Sequence, residues 1–266
     1  MEGLIFIAIS IGAVLLGYSV DDGNMAGLAK LAPAIIIIGG TIGAVGTSFP
    51  LSDLKKLGAI LKVAFSKHKI DTPNLVTYFK QIAFKTRKEG LLSIEEMISG
   101  DDIDSFTKKG LQMVVDGIEP QTVRDTLELN AELIDERHKI GIGIFEAAGG
   151  YAPTIGVVGT VSSLIVVLGN LGGDTSSLGI AISSAFVATL YGISTANLIY
   201  LPIASKLKRY NQIEMDEKNL ITQAIICIQE GVNPNTLEEK LKGFLDKGQL
   251  EAYEKIGNEA NDGEES

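Results

Sequence analysis

The 266-residue chain contains a single cysteine, Cys227, two histidines, His68 and His138, and no tryptophan. One cysteine excludes a disulfide framework, and two histidines leave too few soft ligands for a Cys/His metal site. Charge is scarce as well: Asp, Glu, Lys and Arg make up 21% of the residues, against about 25% in an ordinary soluble domain. The net charge is nevertheless −10, and so acidic a chain is not a general nucleic-acid binder. Low total charge combined with strong acidity requires the charge to be crowded into part of the sequence.

What is abundant is apolar sequence without any charge. Gly3–Val20 (18 residues), Leu31–Ser52 (22), Ala147–Gly173 (27) and Thr175–Ser205 (31) are uncharged throughout. About 20 apolar residues cross a bilayer core, so the four runs predict four transmembrane helices. Their Gly, Ser, Thr and Asn are polar residues that a helix pair can absorb. The first run follows Met1-Glu2-Gly3 rather than a basic segment, and no clear cleavage site follows it. It reads as a retained helix, not a signal peptide. Of the 23 Lys and Arg, all but Lys30 fall in 53–139 and 206–255. The positive-inside rule then places those regions and both termini in the cytoplasm, where Cys227 is an ordinary packing residue in a reducing compartment.

The regions between the spans read as helical. Thr72 followed by Pro73 predicts an N-cap with proline at N1, and Leu75, Phe79, Ile82 and Thr86 recur at helical spacing until Gly90. Ser93-Ile94-Glu95-Glu96 has the form of a capping box, predicting a second helix near Met97. Pro120 opens the longest pattern, through Val123, Leu127, Ile134 and Ile140 into the third charge-free run. A helix over 120–169 would be ~75 Å long, more than twice a bilayer core, so half of it should project as a stalk. Gly149, Gly150 and Pro153 are where it could bend. An amphipathic helix over 210–230 and a capping signal at Asn235-Thr-Leu-Glu238 follow. The predicted layout is two spans in 1–50 with a short external loop, a cytoplasmic helical domain in 51–146, two spans in 147–205 and cytoplasmic helices in 206–250. The stretch 251–266, with six acids and one lysine, reads as a disordered tail.

Enzyme chemistry is not indicated. Gly39-Gly-Thr-Ile-Gly-Ala-Val-Gly46 lacks the Lys-Ser/Thr of a phosphate-binding loop, and Gly39 and Gly43 instead have the GxxxG spacing that lets helices approach closely. Gly141-Ile-Gly143 does not continue as a dinucleotide fingerprint. The predicted spans also contain no Asp, Glu or His, the residues that ion carriers place inside the bilayer. If the chain moves an ion, a partner must supply the titratable group. The chain itself offers hydroxyls and carbonyls, among them Thr154, Thr160, Ser162 and Ser163 on the third span and Ser183, Ser184, Thr189, Ser194 and Thr195 on the fourth.

Tyr151-Ala-Pro-Thr-Ile-Gly-Val-Val-Gly-Thr160, Ala185-Phe-Val-Ala-Thr-Leu-Tyr-Gly192, Ala196-Asn-Leu and Leu201-Pro-Ile-Ala-Ser-Lys206 resemble the MotA/PomA family, the ring-forming membrane subunits of the bacterial flagellar stator. Thr86-Arg87-Lys-Glu-Gly90-Leu-Leu-Ser-Ile-Glu95 is similar to that family's rotor-facing motif. The likeness runs from the first span to Asn235. It implies an all-α integral membrane protein of the bacterial inner membrane, no cofactor, and a pentameric ring around a pair of MotB helices. MotB carries the membrane aspartate, ion passage turns the ring, and the cytoplasmic rim pushes the rotor protein FliG. By this resemblance Arg87 and Glu95 are rotor contacts, Pro153 and Pro202 flank the channel, and Thr189 lines it opposite the MotB aspartate. Thr160 stands where sodium-type relatives have a hydroxyl, and oxygen ligands suit a hard cation, so sodium is favoured over the proton. Taken alone, Arg87 also suits a cation at a helix C-terminus and Glu95 an acid in a first helical turn.

One charge crossing 100 mV releases ~2.3 kcal/mol, which suits a small charged rotor contact. Two other readings compete. ExbB and TolQ energise envelope proteins with similar rings but have three spans. A membrane scaffold or lipid-binding protein without ion flux would not need the Thr and Pro motifs.

Overall fold

The computed structural model describes residues 2–66, 71–98, 103–170 and 175–264. In chain order its α-helices are α1 (Glu2–Val20), α2 (Met25–Leu28), α3 (Leu31–Ser48), α4 (Leu51–Leu54), α5 (Leu57–Phe65), α6 (Thr72–Glu89), α7 (Ile94–Ile98), α8 (Ser105–Val115), α9 (Pro120–Gly169), α10 (Thr175–Thr195), α11 (Leu201–Gln229), α12 (Pro234–Lys242) and α13 (Lys247–Glu264). No strand occurs among the described residues. Helices long and apolar enough to cross a membrane cover Gly3–Val20, Met25–Ser48, Pro120–Gly169 and Leu178–Gln229. The chain is an all-α, multi-pass membrane protein, as the charge-free runs predict.

Two compact units share the chain. One is Met1–His68 with Arg137–Tyr210, the other Lys69–Glu136 with Asn211–Ser266. The first unit therefore reaches past the charge-free runs to take in α4, α5 and the start of α11. None of Gly3–Val20 in α1 is buried, and Leu4, Phe6 and Leu16 are more than half exposed. Such an apolar surface is stable only in lipid or against another protein. Inside the unit, Ile142, Phe145, Ile203, Ala204 and Leu207 close one cluster with Ala64, and Val45, Ile144 and Ala148 form another. Ser48 Oγ lies 2.8 Å from the Tyr151 hydroxyl, fixing α3 to α9.

The second unit has the ordinary core of a water-soluble helical domain. Val76, Phe79 and Ile82 of α6 pack with Leu111, Leu127, Leu220, Ile225 and Leu241. Gly110 permits this: a β-carbon there would stand 2.5 Å from Ile225 Cδ1. Lys218, 6% exposed, donates to Asp104 Oδ2 at 2.9 Å and lies over the Phe106 ring. Asp104 in turn caps α8 by accepting from Thr107 N–H.

Three expected helix starts are displaced, at α6, α7 and α12. Asp71, not Thr72, caps α6 by accepting from Asn74 N–H, and Thr72 Oγ1 instead accepts from Gln249 Nε2 at 3.2 Å. Ser93 donates to Gly90 O at 2.7 Å and closes a 3₁₀ turn over Leu91–Ser93, so α7 begins at Ile94 rather than near Met97. Asn233, not Asn235, caps α12, with Pro234 at the first helical position. Glu238 is then free for tertiary pairing. Its carboxylate meets Lys80, Lys242 at 3.0 Å and the Tyr253 hydroxyl at 2.9 Å.

That pairing corrects the expected disordered tail. The stretch from Glu251 continues α13, because Tyr253 is buried in the core of the unit, beneath Lys242 and bonded to Glu238. Burial and the bond to Glu238 push the Tyr253 hydroxyl up to about 12. Burial alone would raise Glu238, but hydrogen bonds from Lys80, Lys242 and Tyr253 outweigh it and hold the carboxyl below its ordinary 4.5. A depressed carboxylate stabilises fully above its unfolded pKa and loses that stabilisation as pH falls through the folded one. Glu238→Gln is expected to destabilise this unit by about 1–3 kcal/mol at neutral pH and to flatten its acid dependence. Thermal melts followed by circular dichroism between about pH 3 and 7 read both effects, and an unchanged acid limb would refute the assignment.

Candidate functional site

The third and fourth spans meet where their sequences are smallest. A β-carbon on Gly192 of α10 would lie 2.6 Å from Ala152 O and 3.1 Å from Gly156 Cα. One on Gly156 would lie 3.2 Å from Ala188 O, and one on Gly159 2.9 Å from Ala188 Cβ. The two backbones touch along a glycine and alanine stripe, the packing by which membrane helices associate. A β-carbon on Gly39 or Gly43, whose spacing predicts a close approach, would meet nothing within 4 Å among the described residues. Their neighbour Gly40 makes the contact instead, against Ile155. Side-chain packing, not the GxxxG pattern, selects which glycines are covered.

Thr160 and Thr189 occupy this crossing. Their hydroxyl oxygens are 2.6 Å apart, and Thr160 Oγ1 is also 3.0 Å from both Gly156 O and Ala185 O. Each hydroxyl carries one proton, so the two cannot donate to every neighbouring oxygen at once. The result is an oxygen-rich, proton-poor cluster of two hydroxyls and two carbonyls between two spans. Thr154, Ser184 and Thr195 bond only to carbonyls of their own helices, at Tyr151, Ile180 and Tyr191 and Gly192. The structure therefore separates Thr160 and Thr189 from Thr154, Ser184 and Thr195.

Both prolines sit in continuous helix. Pro153 lies inside α9, which runs unbroken from Pro120 to Gly169. Pro202 follows a five-residue π-helical stretch, Ala196–Tyr200, in which Leu201 N–H reaches Ala196 O five residues back. A proline supplies no amide to the carbonyl four residues before it, and one widened turn accommodates that loss. Such π turns recur at functional sites, and this one was not legible in the sequence. Leu201 bridges the two proline regions, since a β-carbon on Gly149 would stand 2.5 Å from Leu201 Cδ2.

In the other unit Arg87 and Glu95 are exposed at the end of α6 and the start of α7. The turn between them requires Gly90, whose φ is 86°. Phe84 and Leu92, 51% and 71% exposed, flank these charges. A cleft of ≈ 150 Å³ opens beside Arg87, between Thr86 and Leu91 on one wall and Gln229 and Val232 on the other. Gln229 Oε1 is buried without a hydrogen-bond partner among the described residues. The charged motif thus carries an apolar border, for which the Leu91-Leu92 pair was the available signal in the sequence.

Known proteins share both units. Residues 99–219 match the family described as the MotA/TolQ/ExbB proton channel family, and residues 4–90 match the N-terminal region of motility protein A. Motility protein A of Bacillus subtilis is 40% identical over 243 residues, covering 91% of this chain and 87% of that protein. Chemotaxis protein PomA of Vibrio alginolyticus is 32% identical, covering 85% and 88%. The flagellar MotAB stator complex from Bacillus subtilis superimposes with a TM-score of 0.87 at 37% identity, over 94% of this chain and 98% of that one. The C. jejuni MotAB structure gives 0.86 at 28% identity, over 92% and 96%. With four spans, a small-residue crossing and likeness along nearly its whole length, the chain belongs to the MotA/TolQ/ExbB proton channel family.

Proposed function

We propose that this chain is the ring-forming subunit of a flagellar stator, assembling with MotB to conduct ions across the bacterial inner membrane and to drive the rotor. The observation that carries this reading is the Thr160–Thr189 oxygen cluster on spans that have no acid of their own. A conducting pathway built on it needs a charged group from outside the chain, and a MotB aspartate meets that need. The distribution of Lys and Arg supports both termini in the cytoplasm, and the pentameric ring rests on the family resemblance alone. Pro153 and Pro202 flank the pathway and interrupt amide pairing there, which gives α9 and α11 somewhere to flex. Arg87 and Glu95 meet the rotor protein FliG, with Phe84 and Leu92 at the border of that contact. No cofactor is required.

Sodium is the favoured ion, because two hydroxyls and two carbonyls resemble the oxygen shell of a hard cation. Swimming speed in the host, measured with and without sodium at a fixed proton gradient, tests this. Speed should collapse without sodium, and unchanged speed would overturn the assignment in favour of the proton. Thr160→Ala should leave the complex assembled, since an interhelical bond in a membrane averages about 0.6 kcal/mol. It should nevertheless raise the sodium concentration needed for half-maximal speed.

A further inference from the structure

Lys206 is the first charge after the 31 uncharged residues of the fourth run, so it stands at one end of a span. Its ammonium lies 5.8 Å from the centre of the Phe65 ring and 5.5 Å from that of Tyr210. Among the described residues it has no carboxylate partner, whereas nearby Lys208 is paired with Glu146. The ammonium also approaches α1 where that helix has no side chain: a β-carbon on Gly3 would be 3.1 Å from Nζ. Immediately beside it opens a cleft of ≈ 350 Å³ whose walls include Phe6, Ile7, Ala64, Leu198 and Ile203. Its volume is within the range of small-molecule sites, about 300–1,000 Å³.

A cation with no carboxylate partner among the described residues, set among aromatic rings at the membrane boundary with an apolar slot beside it, is complementary to an anionic amphiphile. Aromatic side chains and lysines favour the headgroup level, and anionic headgroups attract basic residues there. A free anion would leave the slot empty, and a neutral lipid would leave the cation unpaired. We infer that this cleft binds a phospholipid of net negative charge, with the phosphate on Lys206 and one acyl chain between α1, α5 and α11. The inference rests on the membrane reading of the four spans and not on the identity of the transported ion.

The test uses the complex with its MotB partner, reconstituted in nanodiscs of equal phosphatidylglycerol and phosphatidylcholine, with retained lipid counted by native mass spectrometry. The wild type should retain phosphatidylglycerol over phosphatidylcholine by about fivefold, the worth of one basic residue near an anionic surface. Lys206→Gln should bring that ratio close to one, and Lys206→Arg should preserve it. Ser10→Phe, which fills the slot from α1, should reduce retention of both lipids. An unchanged ratio in Lys206→Gln, or displacement of the lipid by soluble glycerol phosphate, would overturn the proposal. Cross-linking between two copies through Ser10→Cys would do the same by showing a neighbour in the cleft. Swimming assays on these variants keep the outcomes apart, because loss of lipid preference with sodium-dependent swimming intact leaves the stator reading standing.

Discussion

Gly192→Ala is expected to abolish swimming and to lower the melting temperature of the complex, although alanine is the better helix former. In an unobstructed helix the exchange would be favourable by roughly 0.5–1 kcal/mol. Here the added carbon would stand 2.6 Å from Ala152 O and 3.1 Å from Gly156 Cα, both backbone atoms that no rotamer change can move. Overpacking of this kind costs about 1–3 kcal/mol or more, and relief requires α9 and α10 to separate. Separation would pull Thr160 away from Thr189 and break the oxygen cluster. Gly156→Ala meets Ala188 O at 3.2 Å and should give an intermediate defect. Gly43→Ala and Gly46→Ala meet nothing within 4 Å among the described residues and should be close to neutral. Melting temperatures and swimming speeds of the four variants should follow this order. Equal damage from Gly43→Ala and Gly192→Ala would remove the crossing as its cause.

Reversing the charges of Arg87 and Glu95, the proposed rotor contact, should have an equally large effect on swimming with almost none on assembly. Arg87 and Glu95 are both exposed, and substitutions at such positions usually change stability by less than about 0.5 kcal/mol. Arg87→Glu combined with Glu95→Arg should therefore leave membrane levels and co-purification with MotB at wild-type values. Torque should fall severely, because one ion releases only ~2.3 kcal/mol per 100 mV and like-charge contacts at the rotor absorb energy of that order. Opposite reversals on the rotor side should restore part of it. Loss of MotB co-purification would mark these residues as structural instead. Phe84→Ser and Leu92→Ser, tested alongside, should weaken torque only modestly if the contact is mainly charged.

The sequence was most informative where a single physical requirement acts. A bilayer excludes charge, so charge-free runs of 18 to 31 residues located all four spans. A long uninterrupted pattern after Pro120 likewise identified the 50-residue α9. Local capping was less legible. Asp71 and Asn233 take the caps predicted for Thr72 and Asn235, since any short polar side chain can serve and tertiary partners decide which is free. Glu238 shows the same competition, abandoning a capping role for Lys80, Lys242 and Tyr253. The helix through Glu264 was missed because composition registers acidic residues but not the one buried tyrosine, Tyr253, that holds α13 to the core.

For the candidate site the division is sharper. Sequence alone determined the number of spans and the absence of Asp, Glu and His within the charge-free runs. It also supplied the hydroxyls, prolines and charged rim residues as residue types. Only the tertiary structure decided that Thr160 and Thr189 face each other, that Gly156 and Gly192 rather than Gly39 and Gly43 are covered, and that Pro202 follows a π turn. Burial in a membrane is set residue by residue through transfer energy, so it is written in composition. Which two helices touch, and through which atoms, depends on packing between segments distant in the chain, and only the folded structure brings those segments together.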